Sequence, residues 1–215
     1  MCGRFALATE KHILEMLFEF ELRAGLAPRF NIAPSEEILA LRRGVDGKRE
    51  AALLKWGLTA YRAKQSRGGK PLINARAETA DQKPTFRDAF RRRRVLIPAS
   101  GFYEWKSTGS GKQPFLIRME NKQPFALGGL WESRLKTMPM EECCVILTVS
   151  ANEKVAPIHD RMPLIIDPQA YQLWLDSEAG LEEIKKLAAP YPAEKMELVL
   201  LPAGIFKTGR FPDYI

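Results

Sequence analysis

The sequence has few of the features that hold secreted or membrane proteins together. It contains three cysteines, Cys2, Cys143 and Cys144, an odd number without CxxC spacing, which argues against a disulfide framework or a structural zinc site. It has no apolar leader and no run approaching the roughly 20 apolar residues of a membrane span, which argues against secretion and insertion. We therefore expect a cytoplasmic protein without a metal or another cofactor.

Internal repeats and low-complexity linkers are also missing. Hydrophobic residues make up 46% of the 215 residues and charged residues 27%, which is typical of a soluble globular protein large enough to bury a core. The stretch QSRGGKP at 65–71 is interpreted as a surface loop rather than as a linker. The sequence predicts a single domain over residues 1–215.

Short runs rich in β-branched and aromatic residues alternate with turn residues along the chain. These runs are ILALRR, AALLKWGL, VLIPASGFYEW, PFLIRME, PFALGGLWE, CCVILTVS and MELVLL. The stretches STGSGK and ENKQ are predicted to be hairpin connections. Few helices are expected: one over residues 9–20 with Thr9 as its N-cap, and two short ones within 167–189 that begin at the cap Asp167. The predicted class is α+β, a curved, mostly antiparallel, barrel-like sheet with a few flanking helices.

Positive charge is in excess, with 33 lysines and arginines against 26 acidic residues and a formal net charge of +7. This charge attracts polyanions and makes nucleic acid a candidate partner. The run RRRR at 91–94 is either part of such a surface or an ordinary solvated face ahead of a strand. Cys143 and Cys144 open an apolar run and are expected to be buried core residues.

Four polar motifs interrupt this apolar pattern: RFNIAP at 29–34, NARAET at 74–79, SGFYEW at 100–105 and IHDRMP at 158–163. The imidazole of His159 is suited to carry protons near neutral pH, although a structural histidine is the more common case. Glu104, between Tyr103 and Trp105, either is desolvated by an aromatic cage that raises its pKa or faces solvent.

The motif NARAET combines an amide with a guanidinium. Asn74 cannot titrate, so its expected use is to hold a substrate oxygen by hydrogen bonds. Arg76 emerges on the same face if the segment is extended, and a guanidinium pairs bidentately with phosphate oxygens. The combination is suggestive of nucleic-acid binding.

These motifs, together with MCGRF, KWGL, LIPASGFYEW, GGLWE and IHDRMPLII, resemble the SRAP family, the SOS response-associated peptidase-like or abasic-site processing proteins. They occur in the family's order through most of the chain. The resemblance implies one SRAP domain, without metal or other cofactor and monomeric, that attaches itself covalently to abasic sites in single-stranded DNA. It implies the catalytic residues Cys2, Asn74, Glu104 and His159, and the DNA-binding residues Arg4, Asn31, Arg76, Trp105 and Arg161.

The chemistry expected at the N-terminus follows from Cys2. If Met1 is removed, Cys2 carries an α-amine with a pKa near ~7.7–8.0 and a thiol near ~8.5. An amine and a thiol on neighbouring carbons trap the aldehyde of a ring-opened abasic sugar first as an imine and then as a thiazolidine. The resemblance implies that His159 opens the sugar, Glu104 exchanges protons and Asn74 fixes the sugar, with residual lyase activity from the untrapped imine.

Two other functions remain open. An N-terminal cysteine beside a base also resembles the nucleophile of self-processing peptidases and thiol hydrolases. A non-enzymatic single-strand binder would use aromatic side chains such as Trp105 for stacking. The segment TAYR at 59–62 and the C-terminal stretch from 200 to 215 depart from the family pattern, so no contacts are assigned to them. In a bacterium, the protein would associate with the nucleoid.

Overall fold

The computed structural model describes residues 2–58, 71–109, 111–134 and 141–215. The predictions for 59–62, and for most of the loop at 65–71, lie outside the described residues. The strands are β1 Phe5–Leu7, β2 Arg29–Ile32, β3 Glu37–Arg43, β4 Arg49–Trp56, β5 Asn74–Arg76, β6 Arg94–Ala99, β7 Gly101–Thr108, β8 Gly111–Met119, β9 Phe125–Arg134, β10 Glu141–Ser150, β11 Arg161–Pro163, β12 Ile165–Ile166 and β13 Met196–Leu200. The α-helices are α1 Lys11–Phe18, α2 Ala77–Ala80, α3 Arg87–Arg92, α4 Tyr171–Leu175, α5 Leu181–Lys186 and α6 Ile205–Thr208.

The larger sheet closes on itself. Its strands follow the order β10, β4, β3, β6 and β9, and β9 pairs with β10 as well as with β6. Only the pairings of β10 with β4 and with β5 are parallel among the named strands. The prediction of an α+β protein with a mostly antiparallel, barrel-like core is therefore confirmed.

Gly129, in the motif GGLWE, allows the neighbouring strands β6 and β10 to approach β9 closely on its two sides. A Cβ at this position would lie 2.8 Å from Cδ1 of Ile97 on β6 and 2.9 Å from the carbonyl oxygen of Val145 on β10. Real Cβ atoms do not approach other atoms this closely, so the packing between β6 and β10 requires glycine here.

A second sheet has the order β13, β8, β7, β1 and β2. The run VLIPASGFYEW contributes to both sheets, because its chain passes from β6 to β7 at Ser100. STGSGK joins two antiparallel neighbours, β7 and β8, as predicted. The prediction for ENKQ is wrong: it leads from β8 in the second sheet to β9 in the barrel, and β8 pairs instead with the distant β13.

The helices are short, and none of the described α-helices has a side-chain cap at its N-terminus. Asp167 accepts a hydrogen bond from the backbone N–H of Gln169, and two short α-helices follow, as predicted. The helix α1 has Glu10 rather than Thr9 at its N-cap. The hydroxyl of Thr9 lies 3.0 Å from that of Ser100, so a hydrogen bond to the segment between β6 and β7 replaces the predicted cap. No helix in the described segments is long and apolar enough to cross a membrane.

The four consecutive arginines have three different surroundings. Arg91 and Arg92 are exposed at the end of α3, whereas Arg93 pairs with Glu132 at 2.6 Å. Arg94 is 4% exposed and donates to backbone carbonyl groups, and burial lowers its pKa to about 10. The run is therefore not one continuous charged patch.

The main core contains residues of both sheets and of the helices packed on them, and Cys143 and Cys144 are both buried in it, as expected. A smaller cluster of aromatic residues packs on the second sheet. We call it the aromatic cluster; it consists of Tyr103, Trp105, Phe206 and Phe211.

Candidate active site

Cys2 lies immediately before β1, and the pairing of β1 with β7 brings it beside Glu104. Phe5 is opposite Phe102 in this pairing, and the N–H of Tyr103 donates to the carbonyl oxygen of Arg4 at 2.9 Å. The side chain of Cys2 is fully buried, with Sγ 3.7 Å from that same carbonyl oxygen. Burial raises the pKa of the thiol, and the negative charge of Glu104 raises it further.

Glu104 is 3% exposed, so the alternative in which it faces solvent is wrong. Its neighbours along β7, Tyr103 and Trp105, belong to the aromatic cluster, whereas Phe102 belongs to the main core. Because side chains alternate along a strand, Glu104 faces the same side as Phe102, whose hydrophobic cluster also contains Cys2. The two adjacent aromatics therefore do not form its cage. Burial raises the pKa of the Glu104 carboxyl, and positive charge, that of His159 included, opposes this shift.

Asn74 lies in β5, opposite Ile146 of β10. Its Nδ2 donates to the main-chain carbonyl oxygen of Cys2 at 2.9 Å. Its Oδ1 is buried and accepts no hydrogen bond from the described residues. The amide therefore holds the N-terminal segment and keeps an acceptor for another donor.

His159 ends a tight turn, where its N–H donates to the carbonyl oxygen of Val155 at 3.1 Å. Its Nδ1 accepts a hydrogen bond from the backbone N–H of Arg161 at 2.9 Å. A neutral ring held in this way carries its proton on Nε2. Asp160 Oδ1 lies 2.8 Å from the same Nδ1, a contact that is attractive only when Nδ1 is protonated.

The predicted DNA-binding residues have different surroundings in the structure. Arg4 donates from Nη1 to Oδ1 of Asn31 at 2.6 Å, and its guanidinium lies 5.6 Å from the centre of the Phe206 ring. Arg76 is exposed at the end of β5. Trp105 packs against Phe206 with ring centres 5.0 Å apart, on the face of β7 opposite Glu104.

Arg161 is already engaged by the protein itself. Its Nη1 and Nη2 donate to both carboxylate oxygens of Glu78, at 2.7 and 2.8 Å. The hydrogen bonds from Arg161 lower the pKa of Glu78. Sequence reasoning did not single out Glu78, although it lies within the quoted motif NARAET. Spacing cannot reveal this partner, because Arg161 is 83 residues away along the chain.

No group of three or more histidine, cysteine, aspartate or glutamate residues among the described parts of the chain is arranged to hold a metal ion. The structure instead joins an amide, a carboxyl and an imidazole around the second residue of the chain. These residues come from β5, from β7 and from the turn before β11, and they form the candidate site of this α+β protein.

Comparison with known proteins identifies the family. The family model of the SOS response associated peptidase (SRAP) matches residues 1–207, so the chain belongs to the SRAP family. It is 36% identical over 204 residues to the abasic site processing protein YoqW of Bacillus subtilis, covering 92% of this chain and 90% of YoqW. It is 32% identical over 195 residues to the abasic site processing protein YedK of Escherichia coli, covering 88% and 86%.

The fold is also found among solved structures. A crystal structure of a protein from Bacteroides thetaiotaomicron matches with a TM-score of 0.84 over 96% of this chain and 94% of that chain. The two sequences are 21% identical, so this similarity supports the fold alone.

Proposed function

We propose that this protein processes abasic sites by linking Cys2 covalently to the ring-opened sugar in single-stranded DNA. The relatives YoqW and YedK are named abasic site processing proteins. The observation that carries the proposal is the hydrogen bond from Asn74 to the carbonyl oxygen of Cys2, beside the buried Glu104. This bond orients the main chain of Cys2 without using its nitrogen or its sulfur.

The first step uses the α-amine that removal of Met1 would leave on Cys2. Because burial raises the pKa of the thiol and favours its protonated form, the amine attacks C1′ of the aldehyde first. A carbinolamine forms and loses water to give an imine. Glu104, whose pKa is raised by burial, supplies the proton that the leaving water requires.

The second step closes the ring. The thiol sulfur adds to the imine carbon, and the thiol proton is transferred to the nitrogen. The product is a five-membered thiazolidine, so that the aminothiol and the aldehyde have combined with the loss of one water molecule. In this scheme His159 donates from Nε2 to the sugar ring oxygen during ring opening, and Oδ1 of Asn74 accepts a hydrogen bond from a sugar hydroxyl.

DNA is held by charge around this site. Arg76 is exposed two residues beyond Asn74, and Arg4 lies two residues beyond Cys2. Arginines so placed reach phosphates next to the reacting sugar. Unpaired DNA is the proposed substrate because a strand without a partner can bring its sugar to a buried cysteine at low cost.

A crosslinking experiment tests the proposal. The protein, with its N-terminal mass measured, is mixed with a single-stranded oligonucleotide carrying one abasic site and separated in denaturant. A stable adduct is expected for the wild type and for the control Cys144→Ala, whose cysteine is buried elsewhere. No stable adduct is expected for Cys2→Ala, which keeps the amine and should instead form an imine trapped only by borohydride, with some strand cleavage.

The alternatives make different predictions in the same experiment. A non-covalent binder would give no adduct in denaturant, and Cys2→Ala would bind as well as the wild type. A peptidase acting only on its own N-terminus would lose Met1 without crosslinking DNA. A stable adduct formed equally by Cys2→Ala contradicts the proposed mechanism.

A further inference from the structure

The pair formed by Glu78 and Arg161 ties together two segments of the site. Strand β5, which carries Asn74, runs directly into α2, which carries Glu78. Arg161 begins β11, two residues after His159. The bidentate contact at 2.7 and 2.8 Å therefore joins the segment of the amide to the segment of the imidazole.

This ion pair is more constrained than a typical surface pair. Nη2 of Arg161 also donates to the carbonyl oxygen of Thr148 at 2.6 Å, and Thr148 is fully buried. Arg161 lies opposite Ser150 in the pairing of β10 with β11. Its side chain is 13% exposed, so water screens the pair only in part. Bidentate pairs of this kind fix geometry better than single contacts between flexible side chains.

The geometry of Arg161 acts on His159 through the main chain. The backbone N–H of Arg161 donates to Nδ1 of His159, and this hydrogen bond assigns the proton of the neutral ring to Nε2. Asp160 and Glu104 are the acidic groups that face the ring, and Arg161 is the neighbouring cation. A shift of β11 would weaken the N–H bond and allow the tautomer with the proton on Nδ1, which Asp160 favours.

We propose that Glu78 is a positioning residue, which holds Arg161 so that His159 keeps its proton on Nε2 and Asn74 stays aligned with Cys2. This inference rests on the proposed function of Cys2. Glu78 touches no reacting atom in this scheme. The same contact commits most of the Arg161 guanidinium to the protein, so DNA phosphates rely on Arg76 and Arg4.

The crosslinking kinetics of Glu78→Gln test the proposal, because glutamine has nearly the shape of glutamate and carries no charge. We expect the maximal crosslinking rate at saturating oligonucleotide to fall about 10-fold or more, with half-saturation changed less than about two-fold. Glu78→Asp, which keeps the carboxylate, should recover part of the rate. The control Glu50→Gln removes a comparable partner from Arg42, which keeps Glu142, and should crosslink as the wild type does.

The tautomer provides a second readout that does not depend on DNA. The chain has two histidines, so ¹⁵N NMR of the rings is simple to assign with a His12→Gln variant. In the wild type at a pH where the ring is neutral, Nδ1 of His159 should be unprotonated. In Glu78→Gln the signals should move towards a mixture of tautomers.

Each outcome bears on the inference. An unchanged rate and tautomer in Glu78→Gln would overturn it. Tighter DNA binding at an unchanged rate would also overturn it, and would mean that Glu78 restrains a phosphate-binding arginine. If Glu78→Gln does not fold, the same measurements on Glu78→Asp decide. If the wild type forms no adduct, the proposed function is contradicted. The NMR measurement of the His159 tautomer would still test the positioning role of Glu78.

Discussion

The side-chain amide of Asn74 donates a hydrogen bond to the main-chain carbonyl of Cys2 at 2.9 Å, across 72 residues of sequence. In the proposed mechanism, this contact fixes the one polar group of Cys2 that thiazolidine formation does not consume, and it leaves the nitrogen and the sulfur for the substrate. By holding Cys2 in place, the contact lowers the entropy that the proposed reaction would have to overcome.

Replacing Asn74 with aspartate should therefore slow crosslinking. The carboxylate cannot donate to the carbonyl of Cys2 and repels it, so we expect a rate about 10- to 100-fold lower near pH 7.5. The matched control is Asn121→Asp, because Asn121 uses its Oδ1 to accept from the N–H of Gln123 and aspartate can do the same. A rate equal to that of the wild type would show that the carbonyl contact is dispensable.

Replacing Glu104 with glutamine should stabilise the fold near neutral pH and impair the reaction. The pKa of Glu104 is raised in the folded state, so its contribution to stability is fully present below the unfolded pKa and is lost as pH rises through the folded pKa. As the pH rises, the wild type increasingly carries a buried carboxylate, whereas the glutamine of the variant stays uncharged. Thermal unfolding between pH 4 and pH 8 should give a Tm advantage for Glu104→Gln that grows with pH. A Tm difference between Glu104→Gln and the wild type that becomes smaller as the pH rises would contradict this prediction.

Replacing Arg94 with lysine should destabilise the protein without affecting DNA directly. Its guanidinium donates to the carbonyl oxygens of Trp174, Phe90, Arg91 and Asp176. A lysine ammonium has three donors on one atom and cannot reach the same spread of acceptors. We expect a loss of about 2–4 kcal/mol, measured by denaturant unfolding. The exposed Arg92→Lys should change stability by less than about 0.5 kcal/mol.

Replacing Arg76 with alanine should weaken binding to single-stranded DNA in a way that depends on salt. If Arg76 contacts one phosphate, the slope of log K against log salt concentration should decrease by about 0.7. Fluorescence anisotropy with Cys2→Ala as the background, and with an oligonucleotide that has no abasic site, isolates binding from covalent reaction. The comparison variant is Arg91→Ala in the same background. A larger slope change for Arg91 than for Arg76 would move the DNA surface to the end of α3.

The sequence alone was sufficient to propose the residues of the candidate site. The resemblance to the SRAP family implied Cys2, Asn74, Glu104 and His159, and their catalytic roles stay a prediction. The same reasoning missed Glu78, whose partner lies on a distant strand. It also treated RRRR as one feature, although burial separates Arg94 from its neighbours.

Local patterns determined the class of the fold, the longer strands and three of the six described α-helices, namely α1, α4 and α5. They sufficed there because alternation of side chains and turn chemistry act between near neighbours. Which strands pair was decided only in the tertiary structure, and ENKQ shows why: its turn residues reverse the chain, but the strand that completes β8 comes from the end of the sequence. The environment of Glu104 was decided in the same way, since the pairing of β1 with β7 determines what a buried carboxyl faces. Desolvation and charge depend on distances in space, and no spacing along a chain specifies them.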